Sequence, residues 1–192
     1  MIIRKLYKFE GAHIVRNCSS KRCKLSIHGH SYKVELFLKS TSLDNGYMTY
    51  DFGLMKGNIK EFIDSFDHSY SVWCNESEEF KDFMDNNSAR VVTLPWSPSA
   101  ESYSIMMFYV IDKIINQTIF KNGEGDVEVY AVRVHETDTG YAEARKEDLE
   151  LIDFDLNDFG FSDGIIEEWS SDWFSNLKNG FKFINPNPND IY

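Results

Sequence analysis

His28-Gly29-His30 places two imidazoles two residues apart, and a third, His13, lies upstream in Phe9-Glu10-Gly11-Ala12-His13. Three neutral imidazoles can fill three corners of a zinc tetrahedron. A catalytic site needs that count, because its fourth corner stays open to water or substrate. Cys23 stands just before the pair. Outside the ligand set, its thiol can act as base or nucleophile. Inside it, the thiol closes a structural Cys-His₃ site, and the short spacing to His28 allows this. The neighbours Lys21, Arg22 and Lys24 are cationic, and nearby cations favour a reactive thiolate. Cys18 is the competing thiol.

These side chains need strands to bring them together. Residues 2–9 read as a first strand. Residues 31–40 read as a second, with Tyr32, Val34, Leu36 and Leu38 alternating with Lys33, Glu35 and Lys39, the period of a half-buried strand. Residues two apart on a strand share a face, so extended backbone at His28–His30 points both rings one way. An antiparallel pairing of the two strands sets His13 beside them. The bland alternative is a set of ordinary surface or core histidines; the chain has five in all, at 13, 28, 30, 68 and 135.

Further along, Gly46–Phe52 reads as a short extended segment. Residues 54–66 show helical spacing, with Leu54, Met55, Ile59, Phe62, Ile63 and Phe66 on one face. Asp67-His68 follows. A carboxylate beside an imidazole can orient and charge it; the plainer reading is a histidine meeting a helix C-terminus. Residues 77–85 predict a short helix and 90–94 a short strand. Ser97-Pro98-Ser99-Ala100-Glu101 resembles a helix entry, with Ser97 as N-cap and Pro98 in the first turn, leading to a helix that runs to about residue 116. Residues 127–135 form the last clear strand. Glu136 follows it, where a carboxylate can accept two hydrogen bonds from an amino-pyrimidinone edge or stand as an exposed strand-end acid. The order of elements predicts an α+β fold with antiparallel strands.

Composition narrows the function classes. At 192 residues, with 42% hydrophobic and 15% aromatic content, the chain has enough apolar mass for a folded core. A net charge of −11 argues against direct binding to nucleic acid or anionic membranes. No long apolar run predicts a membrane span, and the N-terminus reads as a strand instead of a signal peptide. Three cysteines, an odd and low number, suggest free thiols in a reducing cytoplasm. From about residue 145 the character changes to an acidic, aromatic tail with Trp169, Trp173, Phe174 and Phe181. Ile165–Leu177 there reads as an amphipathic helix. The expected division is a domain over residues 1–144 and an extension of unknown role over 145–192.

Taken in order, Phe9-Glu10-Gly11-Ala12-His13, Cys23 before His28-Gly29-His30, Asp51-Phe52, Asp67-His68, Pro98-Ser99-Ala100-Glu101 and His135-Glu136-Thr137 resemble the 6-pyruvoyl-tetrahydropterin and 6-carboxytetrahydropterin synthase family over roughly residues 2–144. The resemblance implies a tunnelling fold: an antiparallel sheet with two main helices on one face, assembled into a homohexamer with active sites at subunit interfaces. It implies zinc on His13, His28 and His30. Cys23 would be the general base, Asp67 and His68 a proton relay, and Glu136 the anchor of a pterin ring. Ser99 and Glu101 fall in the pterin-pocket motif. Lys21, Arg22 and Lys24 are candidates, on charge alone, to steer a triphosphate. The implied activity is a lyase that converts 7,8-dihydroneopterin triphosphate to 6-carboxy-5,6,7,8-tetrahydropterin, in 7-deazaguanine (queuosine-type) biosynthesis. The alternatives are the pyruvoyl product for tetrahydrobiopterin, and a non-catalytic zinc- or pterin-binding homologue whose tail recruits a partner.

Overall fold

The computed structural model describes residues 1–191. In chain order its strands are β1 (Ile2–His13), β2 (His28–Lys39), β3 (Ser69–Trp73), β4 (Val91–Leu94), β5 (Thr118–Ile119), β6 (Glu128–His135), β7 (Tyr141–Ala144), β8 (Gly160–Phe161) and β9 (Phe183–Ile184). The helices are α1 (Lys21–Leu25), α2 (Asn58–Asp64), α3 (Glu78–Asn87), α4 (Ala100–Asn116), α5 (Asp163–Ile166) and α6 (Trp173–Lys178).

Seven strands form one sheet in the order β7-β6-β2-β1-β3-β4-β8. The sheet is mostly antiparallel, but β1, β3 and β4 run parallel to one another. The parallel neighbours are a correction to the expected all-antiparallel pattern. They arise because β3 and β4 each return through a helical connection, which parallel pairing requires.

The spine is the β1–β2 pair, in unbroken register from Ile2↔Lys39 to His13↔His28. Alternation explains it. Tyr7 and Phe9 from β1, and Tyr32, Val34, Leu36 and Leu38 from β2, are buried on one face, where each large apolar side chain contributes about 1.5–3 kcal/mol. The opposite face carries charge. Glu35 is buried there among Arg4, Arg133 and His135. Burial pushes its carboxyl up, but hydrogen bonds from His135 and Arg4 and the charge of Arg133 outweigh this and hold it below the ordinary value.

Helix α4 covers the apolar face against β6 and β7. It starts at a capping box in which Ser99 Oγ accepts from the Ser102 amide while Ser102 Oγ accepts from the Ser99 amide. The N-cap is therefore Ser99, not Ser97, and Pro98 precedes the cap. The predicted helix over 54–66 is broken into a 3₁₀ turn at Leu54–Lys56 and α2, with Gly57 between them at ψ −128°. Gly46–Phe52 forms turns and bends, not a strand; Asp44 ties this stretch by accepting from the Gly46 and Met48 amides. Strand β7 follows β6 directly and pairs with it, so β6 is not the last strand.

Residues beyond 145 join the same structure. Leu156, Phe159, Ile165, Trp173, Phe174 and Leu177 belong to the main core cluster. Fully buried Trp173 meets Phe62 of α2 edge-on at 6.0 Å. Strand β8 extends the sheet along β4, and β9 pairs with β5. The single helix expected over Ile165–Leu177 is instead two short ones, α5 and α6, with a turn and bend over residues 167–171 between them.

Candidate active site

The register of β1 and β2 builds the histidine cluster. His13 ends β1 directly opposite His28, and Gly11 lies opposite His30. All three rings therefore project from the same face. Their centroids are 4.5 Å apart for His13 and His28, and 5.2 Å for each of the other pairs. Gly29 makes the close approach possible: a Cβ there would lie 3.0 Å from the Gly11 carbonyl oxygen.

Hydrogen bonds fix which nitrogens face inward. His13 Nδ1 donates to the Pro98 carbonyl at 2.8 Å, and His28 Nδ1 donates to the Ser26 carbonyl at 2.9 Å. A carbonyl only accepts, so each Nδ1 carries the proton and each Nε2 keeps its lone pair, the arrangement typical of ligating histidines. The Tyr32 hydroxyl lies 3.2 Å from His13 Nδ1 and braces the same ring. His30 Nε2 is buried with no hydrogen-bond partner. A buried, unpartnered nitrogen is costly in an apolar setting, and a metal ion would satisfy it.

The electrostatics favour the neutral form of two of the three rings. Burial, with help from the His28 charge, lowers the His13 pKa to about 4. Burial also lowers that of His30, against the opposing pull of Glu136. Neutral imidazole is the form that binds metals. One ligand atom from each of the three residues lies within 4.8 Å of the others, and Cys23 is outside this group. The closed Cys-His₃ alternative is thus not built.

Cys23 sits on α1, a free and partly exposed thiol. It lines a cavity of about 480 Å³ together with Cys18, Ser99, Glu101, Glu136 and Tyr141. Glu136 links this cavity to the histidines: its Oε1 lies 3.6 Å from His13 Nε2 and 3.9 Å from His30 Nε2. The structure therefore gathers His13, His28, His30, Cys23, Glu136, Ser99 and Glu101 around one region. Lys21, Arg22 and Lys24 share α1 with Cys23 but do not line that cavity.

Asp67 and His68 lie elsewhere in the chain. They line a separate cavity of about 820 Å³, and His68 also borders a third that reaches Gly29. His68 has φ of 52°, a left-handed conformation unusual for histidine. It is held there by two bonds to one residue: its amide donates to the Glu10 carbonyl, and Asp67 Oδ1 accepts from the Glu10 amide, both at 2.7 Å. Its ring is mostly exposed, with Nε2 3.9 Å from Asp67. It lies four residues past the end of α2, so the helix-terminus reading does not apply.

Sequence reasoning missed Pro98 and Tyr32 as supports of His13. Tyr32 carried a signal, since it continues the two-residue period of His28 and His30. Pro98 acts through its carbonyl, which every residue has.

The central strands thus deliver three imidazoles to the edge of the cavity that Cys23 lines. A family model for 6-pyruvoyl tetrahydropterin synthase matches residues 2–147, and the chain belongs to that family. The chain is 46% identical over 182 residues to the 6-carboxy-5,6,7,8-tetrahydropterin synthase of Helicobacter pylori strain J99, covering 92% of this chain and 91% of that one. It is 28% identical over 140 residues to the Aquifex aeolicus protein of the same name, covering 71% and 84%. Among solved structures, an uncharacterized Wolinella succinogenes protein matches with a TM-score of 0.61 at 19% identity, over 76% of this chain and 98% of that one. The Caenorhabditis elegans 6-pyruvoyl tetrahydropterin synthase matches with a TM-score of 0.52 at 20% identity, over 76% and 94%. At these identities the structural likeness is one of fold.

Proposed function

We propose that this chain is a 6-carboxy-5,6,7,8-tetrahydropterin synthase, a lyase that takes 7,8-dihydroneopterin triphosphate and water to 6-carboxy-5,6,7,8-tetrahydropterin, acetaldehyde and triphosphate. The observation that carries the reading is the three-histidine cluster next to Glu136, which shares a cavity with Cys23, in a chain so similar in sequence and length to proteins of that name.

His13, His28 and His30 would hold zinc, which when bound supplies Lewis-acid polarisation of the substrate's side-chain hydroxyls. The protein's own groups do the rest. Glu136 accepts hydrogen bonds from the amino-pyrimidinone edge and orients the ring. Ser99 and Glu101 line the same cavity. Ser99 Oγ already caps α4, so a ligand shares it with the Ser102 amide. Cys23 removes a proton from the substrate side chain as general base. Asp67 and His68 return protons. They line a different cavity from Cys23 in one chain, so this role calls for a neighbouring subunit to supply them, as in a homohexamer with sites between subunits. The tunnelling barrel with two main helices on one face of the sheet, a cytoplasmic location and a place in 7-deazaguanine biosynthesis belong to the same reading. Residues 145–191 then complete the core of the catalytic domain in addition to whatever else they contact.

Mass spectrometry of products from 7,8-dihydroneopterin triphosphate tests the proposal, with zinc-loaded and chelator-treated protein side by side. A zinc-dependent carboxy product with acetaldehyde is expected. The second reading, favoured by the name of the matching family model, is 6-pyruvoyl-tetrahydropterin formation. It predicts the pyruvoyl product without acetaldehyde. Absence of turnover by protein of verified zinc content would leave a binding role.

A further inference from the structure

The peptide bond that joins Asp67 to His68 is pinned at both ends. Its N–H donates to the Glu10 carbonyl at 2.7 Å, and its carbonyl accepts from Arg90 Nε at 2.8 Å. The peptide unit is planar, and the side chains of Asp67 and His68 leave from the Cα atoms at its two edges. Holding that plane therefore sets the two side chains relative to each other and keeps His68 at its φ of 52°. Arg90 does more here than finish a helix. Its Nη2 donates at 2.8 Å to the carbonyl of Asp64, the last residue of α2, as cations at helix C-termini do. The bond to the Asp67 carbonyl lies beyond the helix, in the turn that presents His68.

The third arm of Arg90 reaches the tail. Nη1 pairs with the Glu168 carboxylate, and the Arg90 side chain is largely buried. The same stretch of tail grips the backbone on either side of Arg90. Ser162 Oγ donates to the Ala89 carbonyl at 2.7 Å and accepts from the Val91 amide at 3.0 Å, while the Ser162 amide donates to the Val91 carbonyl at 3.0 Å. Gly164 packs against this point: a Cβ there would lie 2.4 Å from the Ala89 carbonyl oxygen. Two further bonds fasten the stretch to α2 and its end. Trp169 Nε1 donates to Ser65 Oγ at 3.0 Å, and the Ser170 amide donates to Glu61 Oε1 at 3.1 Å. All of these tail residues lie past residue 147, where the match to the family model ends.

We propose that residues 162–170 of the tail are a clamp that acts through Arg90 to position the relay pair Asp67 and His68. This rests on the relay role given to that pair above. Arg90 is a positioning residue: its side-chain bonds go to Asp67, Asp64 and Glu168, so it works on the relay through the backbone and leaves the three imidazoles to their own supports. In the assembly proposed above, the tail of one chain then sets a reacting group in the site that holds the next chain's Cys23. Arginine suits this task because its planar fork directs Nε, Nη1 and Nη2 at three segments at once, which an ammonium cannot do. The rival account is that Arg90 and the tail only add stability, in which case variants that fold keep the wild-type rate.

The test is a double-mutant cycle on the full-length, zinc-loaded protein, read by kcat for 7,8-dihydroneopterin triphosphate and by amide hydrogen exchange. Arg90→Lys is expected to lower kcat about tenfold with a smaller change in KM, since displacement of a reacting group is costly. On a His68→Ala background the same substitution should cost less than about twofold, because nothing is left for it to position. Glu168→Ala changes an exposed side chain and should lower kcat by about threefold, as exposed ion pairs contribute little. In both single variants the His68 amide should exchange faster, while the β1–β2 amides and the zinc content stay at wild-type values. Wild-type kcat and wild-type protection of the His68 amide in the folded variants overturn the clamp. So does a tenfold loss that persists on the His68→Ala background. If Arg90→Lys does not fold, Glu168→Ala decides by the same two readouts. Exchange needs no turnover, so it separates the clamp from the assigned chemistry. If the His68 amide loosens as expected but His68→Ala keeps the wild-type rate, the clamp stands and the relay role falls.

Discussion

The histidines and the thiol of the candidate site rest on different kinds of scaffold. His13, His28 and His30 project from two paired twelve-residue strands. Every ring is packed, and two of the three carry a backbone hydrogen bond at Nδ1. Cys23 rides on a five-residue helix with no buried residue and no side-chain cap. Its anchors are few: the Val15 amide donates to its carbonyl, and Arg16 Nη1 donates to that of Lys24. The difference suits the two tasks. A metal site needs ligands held to fractions of an ångström before the ion arrives. A proton-abstracting group can sit on an element that gives way as substrate enters and leaves.

The comparison predicts that the two parts fail separately. His30→Ala removes one ligand from the rigid half. Both zinc content and turnover should collapse; several kcal/mol of Lewis-acid stabilisation corresponds to a rate loss of roughly a thousandfold or more. Metal analysis alongside product assay reads both. Retention of full zinc by this variant would break the proposed ligand set. Cys23→Ala alters only the sparsely anchored half. Turnover should fall by about 10²- to 10³-fold, the scale of a lost general base, while zinc stoichiometry and melting temperature stay at wild-type values. A variant that kept its rate would point to Cys18, which lines the same cavity.

The rigid half should also show itself in pH. The folded protein holds His13 at about 4, below its ordinary 6.5, chiefly through burial. Between those values the unfolded chain binds the proton that the native state refuses. Metal-free protein is therefore fully stable in this respect above pH 6.5, loses stability as pH falls toward 4, and loses no more from this group below that. The full loss is on the order of 3 kcal/mol. Urea melts of metal-free wild type and His13→Asn at pH 7 and pH 4.5 isolate it: the wild type should lose more on acidification. Equal losses would mean that His13 is not held neutral by the fold.

How far the sequence revealed this division depends on the range of the interactions. The β1–β2 pair was legible because alternation from Tyr32 to Leu38 is a local signal, and antiparallel pairing then placed His13 opposite His28. The continuation of strand geometry through Gly29 was legible from the His-x-His spacing alone. What lay hidden was set by distant partners. The parallel seating of β3 beside Gly11–His13 has no mark in either segment. The carbonyl of Pro98, 85 residues from His13, has no side-chain signature. Adjacency of Asp67 and His68 suggested a relay but said nothing of which cavity they line. The tail read as an extension because its composition turns acidic and aromatic at about residue 145. Trp173 belongs to the core because α2 offers Phe62 to meet it.

Arg16 gives the finest test of the contrast, because it touches the thiol's scaffold and nothing else in the site. Its guanidinium forms a fork on Glu76, with Nε at 2.5 Å and Nη2 at 3.0 Å, while Nη1 donates to the Lys24 carbonyl at 2.8 Å. One planar group thus ties α1 to the loop after β3. Lysine cannot replace it, since a single ammonium lacks the geometry for three such bonds. Arg16→Lys should therefore leave zinc content unchanged and lower kcat about tenfold, because displacement of a reacting group by even an ångström is costly. KM should change less than kcat, as Glu136, the group assigned to ring binding, lies elsewhere. If Arg16→Lys lost zinc in proportion to its rate, the loop and the strands would be one mechanical unit, and the separation argued from their hydrogen bonding would be wrong.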